Sequence, residues 1–544
     1  MKRQMFITLL AVALLACLGG YGAVSQAYAE EPTPELQWVR TYDSGVGDTA
    51  WDIAVDPEKS VIAAGMNDNP YNYYDMRIAK FTGNGDPTWN LGLDNGWLDL
   101  IRGVATDADG NIYVVGFTGS YPSDLSRNSR IVKLSPNGTV LWDKTFYITT
   151  SSGRKATFAY DIAFSGTAIY VAGAVTRFMT PGATCEAFIA KFNSADGQTI
   201  WQKAIPMAYE KFAATVALDG AGNVLVGGVS TDWTETPNSR RFLVAKFDPS
   251  GNQIFAKTYG DGVSPAGDGG VRAIAADEYD NILMAGEWVT PGGNGILYVK
   301  TDANGNQPVA VFTPGILGEN VGGGWSYSST GPGVDPWLDS AGMGKGMVDA
   351  KGYFIVSGTS GNPSTGLTKM AAVMLDPEGR PIWTVEVAGA GHLTGASVVV
   401  DAEGYIYLAG SGGYTDPNNS DMVVAKYRAY IPVAIDIKPG EEPNSINLGS
   451  AGKVPVAIFS TDTFDATQVD PLTVTLAGAQ VALKGKGTPM AAVADVNADG
   501  RLDLIVHVDT TALQLTAGDM EAVLEGKTYA GLCIRGTDTV RIVP

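Results

Sequence analysis

The chain has 544 residues, 45% of them apolar and 17% charged, with 68 glycines and a formal net charge of −20. That is enough apolar material for more than one packed core, and the many glycines with few charges favour tight turns and short strands over long solvated helices. The acidic balance repels phosphate backbones and excludes nucleic acid as a partner, while it suits cation binding.

Residues 1–29 read as an export signal: Lys2 and Arg3, the apolar run "MFITLLAVALLACLGG", then "AYA" before Glu30. Polar "EEPTPE" follows, so no transmembrane segment is expected once the signal is removed. A competing reading takes "LLAC" as resembling a bacterial lipobox, with Cys17 as the site of a lipid anchor. An exported, extracellular, cell-surface or periplasmic protein is expected either way. Cys185 and Cys533 lie far apart and are read as two unpaired thiols in separate domains.

Residues 30–35 form a linker, and a repeat occupies 36–430. Seven apolar runs close on a glycine: Gly65, Gly116, Gly173, Gly228, Gly286, Gly358 and Gly410. An acidic turn such as "DADGN" precedes most of them, and "RIAKF", "RIVKL", "FIAKF" or a relative follows. Each unit thus holds four strand-like runs joined alternately by a tight turn and a longer connection. Repetition of such units predicts the blades of a propeller. The seventh unit lacks a final "LW-x-K-T-F" strand, whereas "LQWVRTY" at 36–42 is such a strand without a unit. The two ends are expected to complete one blade and remove two open sheet edges.

The segment "DADGNIYVVGFTGS…RIVKLSPNGTVLWDKTF" resembles the SBBP repeat of bacterial seven-bladed β-propeller proteins, a resemblance that implies the fold and says little about activity. A lysine recurs at Lys80, Lys133, Lys191, Lys246, Lys300 and Lys426, on the same side as Asp56, Asp107, Asp219, Asp277 and Asp401. Ion pairing or a snorkelling stem accounts for it better than a cationic ring for ligands.

In a four-strand meander the first and third turns fall on one side and the other connections on the opposite side. The latter are long and aromatic here, which makes that side the expected binding surface for a protein or polysaccharide ligand at the cell surface. Tyr71, Tyr73, Tyr74, Trp233, Trp288, Trp325, Tyr327 and Trp337 are the candidate platforms. The only histidines are His392 and His507, neither in a recognised catalytic motif. Paired carboxylates acting on a glycan, as in a lyase or glycosidase, and a purely structural envelope or matrix role stand as rival readings.

From 431 to 544 a different β pattern begins, read as a small sandwich-like domain and resembling a C-terminal module of secreted bacterial proteins. It contains "DVNADGRLD" at 495–503. Asp495, Asn497 and Asp499 occupy positions 1, 3 and 5 of a calcium loop, Arg501 offers a carbonyl, and Asp503 fills position 9. Val506 stands where an EF-hand carries glutamate, so Asp509, Glu521 or water is left to complete a Ca2+ shell. An Asp/Asn/Gly hairpin turn that binds nothing is the competing reading.

Overall fold

The computed structural model describes residues 34–67, 74–94, 98–119, 127–150, 153–154, 156–176, 185–205, 210–232, 239–260, 268–290, 293–314, 343–348, 353–361, 367–376, 378–401, 403–414, 420–428, 430–461, 464–529 and 533–543. The leader, with Cys17, lies outside them. The chain is all-β, and its first part forms seven four-stranded antiparallel sheets among the described residues. Six of them are uninterrupted meanders, such as Leu98–Thr106, Ile112–Gly119, Asn128–Leu134 and Val140–Phe146 in the second sheet. In the seventh, Leu393–Val400, Tyr405–Gly412 and Asp421–Arg428 are joined by Glu35–Tyr42, which pairs antiparallel with Asp421–Arg428.

Both faces of each sheet are apolar, and each sheet shares a core with the next. Ile62, Ile78 and Met76 of the first sheet meet Ile101, Val114 and Val132 of the second. The series runs on until Tyr407 and Val424 of the seventh sheet pack on Ala50, Val61 and Phe81 of the first. Sheets buried on two sides suit the near-continuous apolar second and third strands of each unit.

The repeated lysine holds neighbouring sheets together. Lys80, Lys246 and Lys300 pair with Asp56, Asp219 and Asp277 at 2.7, 2.8 and 3.1 Å, and Lys133 approaches Asp107 at 3.7 Å. Amines of this series also reach forward to a turn carbonyl of the following sheet: Lys80 to Pro136, Lys191 to Pro249 and Lys246 to Ala303, at 2.9 to 3.0 Å. A tryptophan on the outer strand donates to the same carbonyl in two of these cases, Trp89 Nε1 to Pro136 and Trp201 Nε1 to Pro249. Lys426 departs from the pairing: its amine lies 4.0 Å from the centre of the Tyr405 ring, and Asp401 accepts from Tyr407 instead.

The repeated glycine has a different cause. A Cβ on Gly116 would stand 1.7 Å from the Leu100 carbonyl oxygen, and one on Gly65 1.9 Å from that of Thr49. Opposite these glycines the innermost strand carries a β-bulge in every sheet, between Ala50 and Asp52, Ile101 and Gly103, Ala159 and Asp161, Ala213 and Thr215, Val271 and Ala273, Met343 and Gly346, and Gly395 and Ser397. The bulge presses the strand onto its neighbour, where only glycine fits.

Residues from Ile431 onward form a sandwich. A five-stranded sheet containing Glu521–Thr528 and Cys533–Thr539 faces a four-stranded sheet containing Lys453–Ile458 and Asp503–Asp509. Val456, Val506 and Val508 from one sheet meet Val474, Leu524 and Ile534 from the other in a single core. Cys185 and Cys533 are both buried, and neither forms a disulfide among the described residues. At the junction of the two parts, Arg535 pairs with Glu35 at 2.5 Å, and the guanidinium groups of Arg428 and Arg535 lie 5.0 and 5.2 Å from the centre of the Tyr430 ring.

Candidate functional site

The seven bulges set up two columns of side chains at the middle of the ring. The bulged positions carry Trp51, Arg102, Tyr160, Ala214, Arg272, Lys345 and Ala396; the positions after them carry Asp52, Gly103, Asp161, Thr215, Ala273, Gly346 and Ser397. A bulge places two successive side chains toward one side of a strand, so these columns break the alternation that keeps the rest of the sheet apolar.

Lys345 is the centre of the first cluster. Its amine lies 2.8 Å from Asp52 Oδ2 and 2.7 Å from Asp161 Oδ1. These three residues belong to the sixth, first and third sheets, which are not neighbours, so the contact spans the axis of the ring. Ser397 of the seventh sheet donates to Asp52 Oδ1 at 2.6 Å. The Val104 amide of the second sheet donates to Asp52, and the Val216 amide of the fourth to Asp161, at 2.9 and 2.8 Å. Six sheets are thereby tied to one lysine. Burial alone would depress the Lys345 amine, but the attraction of Asp161 and Asp52 outweighs it and holds the amine above the ordinary lysine range. Burial pushes the Asp161 carboxyl up, against the pull of Lys345.

The second cluster is cationic. The Arg102 guanidinium lies 3.7 Å from the centre of the Trp51 ring, close enough for a strong cation–π contact. Arg272 donates to Glu287 Oε1 at 3.0 Å. A small cavity between the fourth and fifth sheets is lined by Arg272, Glu287, Arg240 and Ala214; the short side chain of Ala214 leaves the room that Trp51 or Tyr160 fills elsewhere.

None of these residues was singled out in the sequence reading, yet a signal was present. Each repeat glycine marks the strand position facing the bulge, and the axial column begins at the residue after its partner, or two places after it in the sixth sheet. Written in register, that position holds three cations, Arg102, Arg272 and Lys345, within otherwise apolar strands.

The expected aromatic platforms fare differently. Tyr71, Tyr73, Trp233, Trp325, Tyr327 and Trp337 lie outside the described residues. Tyr74 is half-buried, bridged to Leu98, and its carbonyl accepts the Asp99 amide at 2.9 Å. Trp288 is fully buried, at 0% exposure, and so is no platform. Its strand runs on to Thr290, which turns the indole inward to meet Phe242 edge-on at 5.7 Å. The absence of a side chain at Gly269 makes the space, since a Cβ there would touch the Trp288 ring at 2.6 Å.

In the C-terminal loop, Asp495 Oδ1 and Asn497 Oδ1 both accept the Asp499 amide at 3.1 Å, and Asp495 Oδ2 accepts the Gly500 amide at 3.0 Å. Asp499 accepts the Arg501 amide at 2.8 Å, a bond that keeps its carboxyl below the usual range. Ala498 and Gly500 take left-handed φ values of 60° and 90° to bring these groups round. Asp503 stands apart: it is 0% exposed, and its two oxygens accept the Ser460 and Val496 amides at 2.9 Å each. Asp509 pairs with Lys453. Among the described residues no three His, Cys, Asp or Glu side chains converge as a metal-holding group. Side-chain oxygens from Asp495 and Asn497, with Asp499 beside them, fit a hard cation; in this arrangement Asp503 serves as a clamp across the base of the loop.

No family model matches the chain, and no curated protein matches it in sequence. Among solved structures it is similar to a polysaccharide lyase, a PL25 ulvan lyase, at 12% identity over 63% of this chain and 82% of that one, with a TM-score of 0.43. A quinohemoprotein alcohol dehydrogenase from Pseudomonas putida matches at 9% identity over 77% and 79%, with a TM-score of 0.37. A calcium-binding protein, regucalcin from Agrobacterium tumefaciens, matches at 12% identity over 61% and 92%, with a TM-score of 0.32. The class that the sheets themselves define is an all-β protein of propeller type with an appended β module, and the SBBP likeness rests on its motifs.

Proposed function

We propose that this chain is an exported binding protein that receives its ligand at the axial end bearing the long connections. The carrying observation is the polar axis itself. Sheets that are apolar on both faces converge on Asp52, Asp161, Lys345, Ser397, Arg102 and Trp51, and burying such groups costs stability that apolar residues at the same positions would not. The four-strand pattern of the sequence assigns the long connections, with Tyr71, Tyr73, Trp233, Trp325, Tyr327 and Trp337, to one side of the sheets, and that side is taken as the entrance to the axis. A polysaccharide or surface protein is the partner class such a rim suits.

The second part of the proposal is a calcium ion held by Asp495, Asn497, Asp499 and the Arg501 carbonyl, which stiffens the C-terminal module. It would neutralise the carboxylates of Asp495, which accepts backbone amides, and of Asp499, which the Arg501 guanidinium also approaches at 3.3 Å.

A binding screen of the signal-free chain against glycans and surface proteins, with and without chelator, tests both parts. Saturable binding lost on substitution of Arg102 or Lys345 supports the first. Turnover of a bound glycan would replace it with an enzymatic reading, and absence of any binding would remove it.

A further inference from the structure

The axial column holds more hydrogen-bond donors than acceptors. Arg102 is only 4% exposed, and its sole contact of note is the face of Trp51. Its Nε is sealed from solvent, and among the described residues nothing accepts from it; Trp51 Nε1 and Arg272 Nε are orphaned in the same way. The three residues occupy the bulged position of the second, first and fifth inner strands.

The acids nearby are already engaged. Asp52 accepts from Lys345, Ser397 and the Ile53 and Val104 amides. Asp161 accepts from Lys345 and the Val216 amide. A guanidinium Nε buried without an acceptor loses its hydration uncompensated, and each further orphaned N–H adds to that loss. Native proteins leave few such groups, and a bound acceptor is one way in which those that remain are satisfied.

We propose that Trp51 and Arg102 form a site for an oxyanion group, the carboxylate or sulfate of an acidic ligand entering along the axis. The proposal rests on the binding reading above and gives its ligand a chemical class. A guanidinium presents parallel N–H groups that match two oxygens of such a group. The indole beneath it fixes the plane of that fork in advance, so little ordering remains to be done on binding. Trp51 Nε1 adds a neutral donor. The ring of the same tryptophan explains why a cation is tolerated there before the ligand arrives.

The test is calorimetric titration and thermal melting of the signal-free chain with sodium sulfate, sodium acetate and an oligogalacturonate. Sodium chloride at matched ionic strength and a neutral galactose oligomer serve as controls. Saturable binding and a raised melting temperature are expected with at least one of the three anions, and the three arms separate sulfate from carboxylate and a free carboxylate from one carried on sugar. Arg102→Met should abolish the anion effect while leaving the ligand-free chain at least as stable, because it removes an unpaired buried charge. Trp51→Phe keeps the ring and removes one donor, and should weaken binding roughly fivefold to tenfold; it reads the site even if Arg102→Met folds poorly. No anion response beyond chloride, or an undiminished response in both variants, overturns the proposal. Binding of a neutral glycan without any anion effect would overturn it while leaving the binding reading intact.

Discussion

Trp38 Nε1 and Lys426 Nζ donate to one acceptor, the Gly83 carbonyl oxygen, at 3.2 and 3.0 Å. Trp38 comes from the first strand of the described chain and Lys426 from the last strand of the seventh sheet, yet they address the first sheet as Trp89 and Lys80 address the second. The amino-terminal strand therefore does the work of a fourth strand in the seventh sheet, in hydrogen bonding to the next sheet as well as within its own.

Removing Trp38 should open that junction. Trp38→Ala, at a position 9% exposed, is expected to cost about 3 to 4 kcal/mol, and Trp38→Phe about 1 kcal/mol for the lost hydrogen bond. Denaturant unfolding followed by tryptophan fluorescence measures both. Equal stability of Trp38→Ala and the parent would contradict the junction.

Gly116→Ala is expected to fail to fold or to lose several kcal/mol, because its Cβ would meet the Leu100 oxygen at 1.7 Å. Gly166→Ala is the control. Gly166 has φ of 59° but open space around it, so its cost should be about 1 kcal/mol. Melting curves of the two variants should differ widely; similar curves would mean that the bulge is not what requires the glycine.

Lys345→Met leaves Asp52 and Asp161 facing each other across the axis without their cation. A loss of about 3 to 5 kcal/mol at neutral pH is expected, shrinking in acid as Asp161, already pushed upward by burial, takes a proton. Adding Asp52→Asn and Asp161→Asn should recover most of it. In the parent, Lys345 is raised above 10.5, so its contribution is complete below that pH and is lost only as pH climbs through the higher folded value. Urea unfolding across pH follows each step.

Asp48 supplies a separate acid-range signal. Burial pushes its carboxyl up to about 6 against the donors of Ser44, with Asp43 reinforcing the rise and Arg77 opposing it. The folded state therefore holds this proton longer than the unfolded one, and stability should fall as pH rises from about 4 to 6, by up to roughly 3 kcal/mol from this group. Asp48→Asn should flatten that slope. An unchanged slope would place the signal elsewhere.

The two roles in the C-terminal loop separate by substitution. Asp503→Ala strands the Ser460 and Val496 amides and should destabilise the module by about 3 kcal/mol with or without calcium. Asp495→Ala should matter mainly in the presence of calcium, by abolishing the stabilisation that the ion provides. Scanning calorimetry with calcium or chelator distinguishes them, and elemental analysis counts the metal.

Much of the architecture was legible because it repeats. A glycine recurring in every unit, and a lysine and an aromatic in most of them, report local constraints that a single unit reveals: the close approach opposite a bulge, the amine reaching a neighbouring turn, the indole beside it. Trp288 was misjudged because a strand that outlasts its apolar run looks like a loop in sequence, while the direction of its indole depends on the space left by Gly269 in another strand. The clamp role of Asp503 was hidden for a related reason: spacing marks it as a ligand, and only packing turns its oxygens toward Ser460 and Val496.

By itself, the sequence determined the strand pattern and the strand that completes the seventh sheet, since these follow from periodicity and from turn chemistry within a few residues. The tertiary structure alone decided which residues meet at the axis. Lys345 finds Asp52 and Asp161 only when non-adjacent sheets converge on a common centre, and no local spacing encodes an encounter that arises from the curvature of the whole ring.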